Sequence, residues 1–443
     1  MNLKRVIYSE FNEINKLKTV DHLYKKYNWE PVLMAGSRPN KNLISFKNEN
    51  FPSCILTDSI DIRQAKFDYS KLGQPVPIDA EILSSLSNGA LNFLSLLQDP
   101  TGNNYGLEER KSYYYDVLKY WNTVIHKLKP DIFVSYNIPH TPVCLSLYLL
   151  CKYYYNIDVL FVECFPLLNK DYHIIGTSLE KLDESISKIY NSKEDISLGP
   201  DSKKYLESIR SKEAKPPKHI VKDYELVYLH SRIKVRLKEL FVLILKTLKN
   251  GHGFKTDSEW KKNIKPYYNI KSRMNNFETF FFHEKLRHKN KNLKKIYDNL
   301  VTKVDYSKKY IYFASQYQPE VTTTYIGKYY ENFFLVLDIL SAAIPDDWII
   351  YYKENASIFI NSSILKGALC RDKHYYERLA QYKNIKMVST DISTFDLIDH
   401  AQAVSTVTGT VAWEAVVRGV PSISFGSSIW YAGCNSIFSV RTF

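Results

Sequence analysis

From Tyr310 onward the chain alternates short, mostly apolar runs with segments of helical spacing: Tyr310 to Ala314 (YIYFA), Trp348 to Tyr352 (WIIYY), Ile385 to Val388, Ala403 to Val407 and Ser422 to Phe425. Apolar runs this short, separated by helices, are what a parallel sheet covered on both faces requires. One intervening segment carries Phe333, Val336, Leu337, Leu340 and Ile344 on a single helical face, and Pro345 stops it. In such sheets ligands bind beyond the carboxyl ends of the strands. The polar residues fall there: Gln316, Gln318 and Glu320 after the first run, Lys353 and Glu354 after the second, Ser389 to Asp391 after the third, and Thr408 to Thr410 after the fourth. Four polar clusters on one inferred edge mark that edge as the ligand site.

The first 180 residues show the same rhythm. Asp131 to Tyr136 (DIFVSY) and Ile157 to Val162 (IDVLFV) are β-prone and flank Thr141 to Tyr155, which is apolar at helical spacing. His140, in Asn137-Ile-Pro-His140, joins the first of these strands to the helix, and Glu163 follows the second. Asp58 and Asp61 follow a further β-prone run.

Between these regions the character changes. The 443 residues carry 60 Lys and Arg against 47 Asp and Glu, a net +13, but Asp201 to Tyr310 alone holds 28 against 12, a local +16. A basic excess confined to one segment points to a membrane surface or an acidic ligand. It lacks a nucleic-acid recognition motif, so nucleic acid is not an expected partner. Within it, Ile233, Leu237, Leu240, Phe241, Ile244, Leu245 and Leu248 follow helical spacing among Arg232, Lys234, Arg236, Lys238, Lys246 and Lys249. Such a helix either lies on an anionic leaflet or docks on the core with its lysines solvated. Pro216 and Pro217 break the segment upstream. The longest apolar runs, such as Leu240 to Leu245, fall far below the roughly 20 residues of a membrane span. Met1 to Lys18 has no signal-peptide core, and the six scattered cysteines read as buried thiols, so a cytoplasmic location is expected. The tyrosine clusters at 113–115 and 153–155 read as packing groups rather than sugar platforms.

The strongest local motif is Ser405-Thr-Val-Thr-Gly-Thr410, followed by Val411-Ala-Trp-Glu-Ala-Val-Val-Arg-Gly-Val-Pro421. A strand enters a Thr/Gly turn, a helix follows, Gly419 ends it, and Pro421 opens the next strand. Gly409 permits close backbone approach, and the helix start favours an anion such as phosphate. Thr410 alone would serve as an ordinary N-cap. Glu414 lies four residues on rather than three, so a capping box does not explain it, whereas a carboxylate there suits a ribose.

With YFASQYQPEVTTT, AAIPDDWIIYYKEN and Arg371-Asp-Lys-His-Tyr-Tyr376, this string resembles the bacterial capsule polysaccharide biosynthesis family, which includes ulosonic-acid transferases of the Kdo and pseudaminic acid type. The resemblance covers about Tyr310 to Phe438, and more loosely Asn137 to His140. It implies an α/β GT-B glycosyltransferase: two Rossmann-like domains facing a cleft, with residues 1–180 presenting the acceptor, 181–303 forming a basic helical insertion, and 304–443 holding the nucleotide-sugar donor. It implies a CMP-activated nonulosonic acid as donor and a surface-polysaccharide or lipid-linked glycan as acceptor; no cofactor and no metal are expected, and the basic segment points to a peripheral place at the inner face of the membrane. No DxD motif is present, and Asp391, Asp396 and Asp399 are explained by capping and solvation. Glycosyl transfer needs a group to handle the acceptor hydroxyl or anomeric centre and donors for the leaving phosphate. His140, Glu163 and Glu320 are the catalytic candidates on this basis. Gln316, Gln318, Lys353, Glu354, Arg371, Ser405, Thr408, Gly409, Thr410 and Glu414 are the donor-binding candidates. Where the family reads Lys-Glu-His-Pro, this chain has Lys353-Glu354-Asn355-Ala356, and Asn355 donates a hydrogen bond without charge. The chain also ends at Phe443, where GT-B proteins continue into bracing helices, so it reads either as truncated or as a short member. Alternatives are a UDP-sugar hexosyltransferase, a sugar-nucleotide 2-epimerase of the same fold, and a non-catalytic capsule assembly protein.

Overall fold

The computed structural model describes residues 2–36, 38–63, 65–87, 89–90, 94, 107–139, 141–164, 173–179, 197–211, 233–250, 276–318, 320–360, 370–426, 434 and 436–440. The chain divides into two compact units, each built on its own sheet.

The first sheet comprises β1 (Lys4–Ser9), β2 (Trp29–Gly36), β3 (Ile55–Asp58), β4 (Ile132–Tyr136), β5 (Asp158–Cys164) and β6 (His173–Gly176) in the order β3-β2-β1-β4-β5-β6. All pairs are parallel except β5 with β6. Helices α1 (Ile14–Tyr27), α2 (Lys41–Asn50), α3 (Ser59–Arg63), α4 (Ala80–Ser85), α5 (Leu107–Leu128) and α6 (Pro142–Leu149) connect or cover them. On one face Val6, Tyr8, Met34 and Val134 pack with Leu17 and Val20 of α1. The β1–β2 register shifts between Val6 and Ile7, with Val6 opposite Pro31 and Ile7 opposite Leu33. Pro31 has no N–H to give the ladder, so a local irregularity beside it costs the sheet little. The helix expected over Thr141 to Tyr155 begins with Thr141 accepting from Cys144 N at 3.3 Å, but it changes pitch. Leu150–Tyr154 is a π-helical turn closed by Tyr155 N donating to Leu150 O at 3.0 Å. Tyr113 and Tyr114 are buried as packing groups, while Tyr115 and Tyr153 are exposed. Among the described cysteines, Cys54, Cys144 and Cys151 are buried thiols.

The second unit contains α7 (Pro200–Arg210), α8 (Ile233–Asn250) and α9 (Asn276–Leu300), followed by a sheet of β7 (Tyr310–Ala314), β8 (Ile349–Lys353), β9 (Ile385–Val388), β10 (Ala403–Thr406), β11 (Ser422–Ser424) and β12 (Ile437–Ser439). The order is β12-β11-β10-β7-β8-β9 and every pairing is parallel. Counted from its own first strand, this is the strand order of the first sheet, 3-2-1-4-5-6, so both units are Rossmann-like, as expected. The connecting helices are α10 (Val321–Thr324), α11 (Phe333–Ala343), α12 (Lys373–Leu379), α13 (Thr394–Asp399) and α14 (Val411–Val417). One face of the sheet packs Phe313, Ile350 and Tyr352 against α9, α11 and α12. The other packs Tyr312, Tyr351 and Val404 against α13 and α14. The strand order reverses between β7 and β10, which makes their carboxyl ends the switch point.

One detail of the predicted elements holds for the reason given. Gly419 ends α14 at φ +84°, and Val420 N returns to Ala415 O at 2.9 Å, a left-handed cap that favours glycine. Asn332 supplies the cap of α11, accepting from Phe334 N at 3.1 Å. Among the described residues no helix is long and apolar enough to cross a membrane.

Tyr297 pins α9 to the sheet. Its hydroxyl is fully buried, donates to Val388 O at 2.6 Å and accepts from Glu354 N at 3.0 Å. Tyr297→Phe strands both backbone groups, so urea denaturation should show a loss of about 1–3 kcal/mol; no loss would show that the bonds are not what fixes this helix.

Candidate functional site

At the switch point a single side chain joins the two central strands. The Gln316 carboxamide, just past β7, donates through Nε2 to Thr408 Oγ1 at 2.9 Å and accepts through Oε1 from Thr408 N at 2.8 Å. Thr408 Oγ1 in turn donates to Thr322 O at 3.0 Å. Gln316 and Thr408 therefore set the shape of the edge and have little bonding capacity left for a ligand. Gly409 follows with its N–H on Thr406 Oγ1, and a Cβ at this glycine would sit 2.8 Å from that hydroxyl. This close approach is what requires glycine in the turn.

Thr410 does not cap α14. It has helical dihedrals and makes no side-chain cap bond; its exposed hydroxyl instead donates to Glu414 Oε1 at 3.3 Å. Burial raises the Glu414 carboxyl above the usual range, while Thr410 and Arg418 offset the rise. Glu414 and Thr410 thus form a hydroxyl–carboxylate pair at the carboxyl edge, suited to hydrogen-bonding a diol. Ser405, by contrast, is fully buried within β10, and its hydroxyl has no partner among the described residues.

The second cluster surrounds the end of β8, where Lys353 and Glu354 project to opposite faces because successive residues of a strand alternate. Glu354 is buried and receives five donors. Ser315 Oγ at 2.5 Å and Asn355 N at 3.0 Å reach Oε1; Tyr352 OH at 3.0 Å, Tyr376 OH at 2.9 Å and Arg371 Nε at 3.0 Å reach Oε2. Burial, and secondarily the Glu354 charge, hold the Tyr352 and Tyr376 hydroxyls well above their usual range, so both stay protonated and donate. Glu354 is inside the edge rather than on it, and acts on any ligand only by holding its neighbours.

Arg371 is the neighbour that matters. It is 4% exposed, with its guanidinium 4.3 Å from the Tyr375 ring centroid and 5.3 Å from that of Phe333. Nη1 donates to Gln318 Oε1 at 2.9 Å and to Cys370 O at 3.1 Å. Gln318 is held in turn by donating through Nε2 to Glu331 O at 2.5 Å. Nη2 is buried with no hydrogen-bond partner among the described residues. One charged donor is thereby fixed in place and left to be completed.

Lys353 lies on the α13 side, donating to Ile392 O and to Thr394 Oγ1 at 3.0 Å. Burial lowers its pKa to about 8, with Asp391 partly offsetting the shift. Asn355, standing where the resembled family has His, caps the short turn Ala356–Phe359 by accepting from Ser357 N at 3.0 Å. Its carbonyl is committed to that turn, leaving only the amide N–H groups. Before α10, desolvation raises the Glu320 carboxyl, and Thr322 offsets part of the rise.

Of the candidates in the first unit, His140 lies outside the described residues, and for Glu163 only its backbone position in β5, opposite Ile174, is described. Asp58 and Asp61 line a cavity of 820 Å³ beside the edge strand β3, with Phe67, Tyr69 and Tyr120. Asp58 Oδ1 already accepts from Arg38 N and Ile60 N, and Asp61 pairs with Lys66 at 3.5 Å. Sequence spacing pointed to none of the tyrosines 297, 352 and 376 as parts of the second site, since they come from elements far apart in the chain. Among the described residues no group of three or more His, Cys, Asp or Glu could hold a metal.

No family model matches the chain, and no curated protein does. Among solved structures it is similar to the KpsC β-Kdo 2,7 transferase of Thermosulfurimonas dismutans, at 18% identity over 35% of this chain, with a TM-score of 0.23. It is also similar to the UDP-GlcNAc 2-epimerase of Methanocaldococcus jannaschii (15% identity, 98% of this chain, 88% of that one, TM-score 0.23) and to a family 9 glycosyl transferase of Veillonella parvula (10%, 100%, 89%, 0.22). The match spans 46% of the KpsC chain, less than half its length. At these scores the chemistry has to be read from the site's own residues.

Two outcomes test the site's construction. Glu354→Gln leaves the Arg371 charge buried without its counter-ion, so urea denaturation should register a loss of roughly 3–5 kcal/mol, and a loss below about 1 kcal/mol would mean the pair is not organising this edge. Lys353, at about 8 folded against 10.5 unfolded, binds fewer protons in the folded chain between those values. Stability should therefore rise with pH through that window, and the rise should shrink in Lys353→Met; an unchanged pH profile in the variant would contradict the assignment.

Proposed function

We propose that the protein is a glycosyltransferase that takes a nonulosonic acid of the Kdo or pseudaminic acid type from a CMP-activated donor and attaches it to a surface-polysaccharide acceptor at the inner face of the membrane. The observation that carries this reading is the carboxyl edge of the second sheet. There a Gln316–Thr408 clamp, the Thr410–Glu414 pair, and the charges of Lys353 and Arg371 gather at or beside one switch point, the place where a Rossmann-like sheet takes a nucleotide. The family resemblance of the same residues supports sugar transfer over other nucleotide chemistry.

In this reading Glu414 and Thr410 meet the ribose diol. Lys353 offsets charge growing on the leaving phosphate, and Arg371 Nη2 pairs with an anionic group of the donor, the carboxylate of a nonulosonic acid being a matching partner. Gln316, Gln318 and Glu354 are positioning residues. His140, Glu163 and Glu320 remain the candidates for handling the acceptor hydroxyl, and the first unit would present the acceptor.

The test is release of CMP from a CMP-nonulosonic acid by the full chain, with and without a glycan acceptor. Release should depend on acceptor, persist in EDTA, and fall at least tenfold in Arg371→Lys, which keeps the charge but not the planar fork. Conversion of a UDP-sugar without any acceptor would move the assignment to epimerisation, and nucleotide binding with no turnover of either donor would move it to an assembly role.

A further inference from the structure

Helix α8 leaves an apolar stripe exposed. Leu237, Phe241, Ile244, Leu245 and Leu248 recur at i, i+4, i+7, i+8 and i+11, one stripe of the helix, and they are 60%, 60%, 39%, 48% and 78% exposed. The half-buried side mixes Arg236 and Glu239 with Val235, Leu240 and Leu243. Arg236 Nη1 pairs with Glu284 Oε2 at 3.2 Å, and Glu239 Oε2 with Arg287 Nη2 at 3.8 Å, both across to α9. A helix that docks through a side of mixed charge and apolar groups and still turns five large apolar side chains to the outside leaves a hydrophobic surface that monomeric soluble proteins rarely keep.

The surrounding charge selects the occupant. Lys234 and Lys238 are exposed on the same helix, and the segment from Asp201 to Tyr310 carries a net +16. A second copy docking here would bring two such segments together against their repulsion. An anionic bilayer would instead accept both the apolar stripe and the basic flank. We propose that α8 lies in the plane of an anionic membrane surface. Leu237, Phe241, Ile244, Leu245 and Leu248 enter the headgroup–acyl boundary, and Lys234 and Lys238 rest on the lipid phosphates. Its purpose, keeping the enzyme beside a membrane-linked acceptor, rests on the proposed transferase reading, but lipid binding is measured with no sugar donor present, so either can fail alone.

The full chain is floated with vesicles of phosphatidylcholine, or of phosphatidylcholine containing phosphatidylglycerol, at low and high salt. Several-fold more protein should float with the anionic vesicles, and high salt should reduce but not abolish the difference. A triple variant, Leu237→Ser, Phe241→Ser and Leu248→Ser, changes only outward-facing groups. It should keep the wild-type melting temperature and lose most of the binding, while Lys234→Glu with Lys238→Glu should remove the salt-sensitive part. Equal flotation with both vesicle types, no flotation, or full binding by the triple variant would overturn the proposal. So would a wild-type dimer in gel filtration that the triple variant converts to monomer, since the stripe would then belong to a second copy.

Discussion

The ion pair between Glu354 and Arg371 is the constraint on which the carboxyl edge of the second unit's sheet depends. Taking both charges out of water costs several kcal/mol per ion, and a lone pair of this kind would scarcely repay it. What offsets the cost is the shell: Ser315 from the β7 loop, Tyr352 on β8, Tyr376 on α12 and the Asn355 backbone all donate to the same carboxylate. Tyr297 on α9 adds a bond to the Glu354 N–H. Each of these elements can be placed only where its donor reaches Glu354. The network converts a costly buried charge into a fixed position for Arg371, whose Nη2 has no hydrogen-bond partner among the described residues.

The switch point is organised by a neutral version of the same idea. Gln316 satisfies both the hydroxyl and the backbone N–H of Thr408, so the loops after β7 and β10 hold one another without a ligand. The clamp therefore fixes the shape of the edge and offers few donors of its own. Lys353, with its pKa lowered by burial, stands on the other face of β8.

Much of this architecture was legible because the strands of a covered parallel sheet are unmistakable apolar runs. Tyr310–Ala314 and Ile385–Val388 fall where their composition puts them. Trp348 does not belong to β8, since its N–H turns back to Pro345 O at 2.9 Å, and Lys353 takes the last place in the strand. Ile437–Ser439 has three residues, too few to carry any period. The π turn after α6 escaped notice because the apolar pattern runs through it unbroken, while the extra residue per turn is a property of backbone bonding alone. At the candidate site, the sequence placed polar residues on the carboxyl edge but not the partners that each one takes. Glu354 reads as a binding carboxylate until Tyr297, Tyr352 and Tyr376 are found converging on it from three elements. Thr410 reads as a cap until its hydroxyl is found on Glu414.

The most direct test is a thermal-shift panel of CMP, UDP, GDP and ADP on the full chain and on Glu414→Gln, since a ligand that binds only the folded chain must raise its melting temperature. CMP alone should raise the melting temperature of the wild type, and the variant should keep its own stability while losing most of that shift. A shift with UDP in place of CMP, a CMP shift undiminished in the variant, or no shift with any of the four would contradict a CMP-sugar donor held at the carboxyl edge of the second sheet.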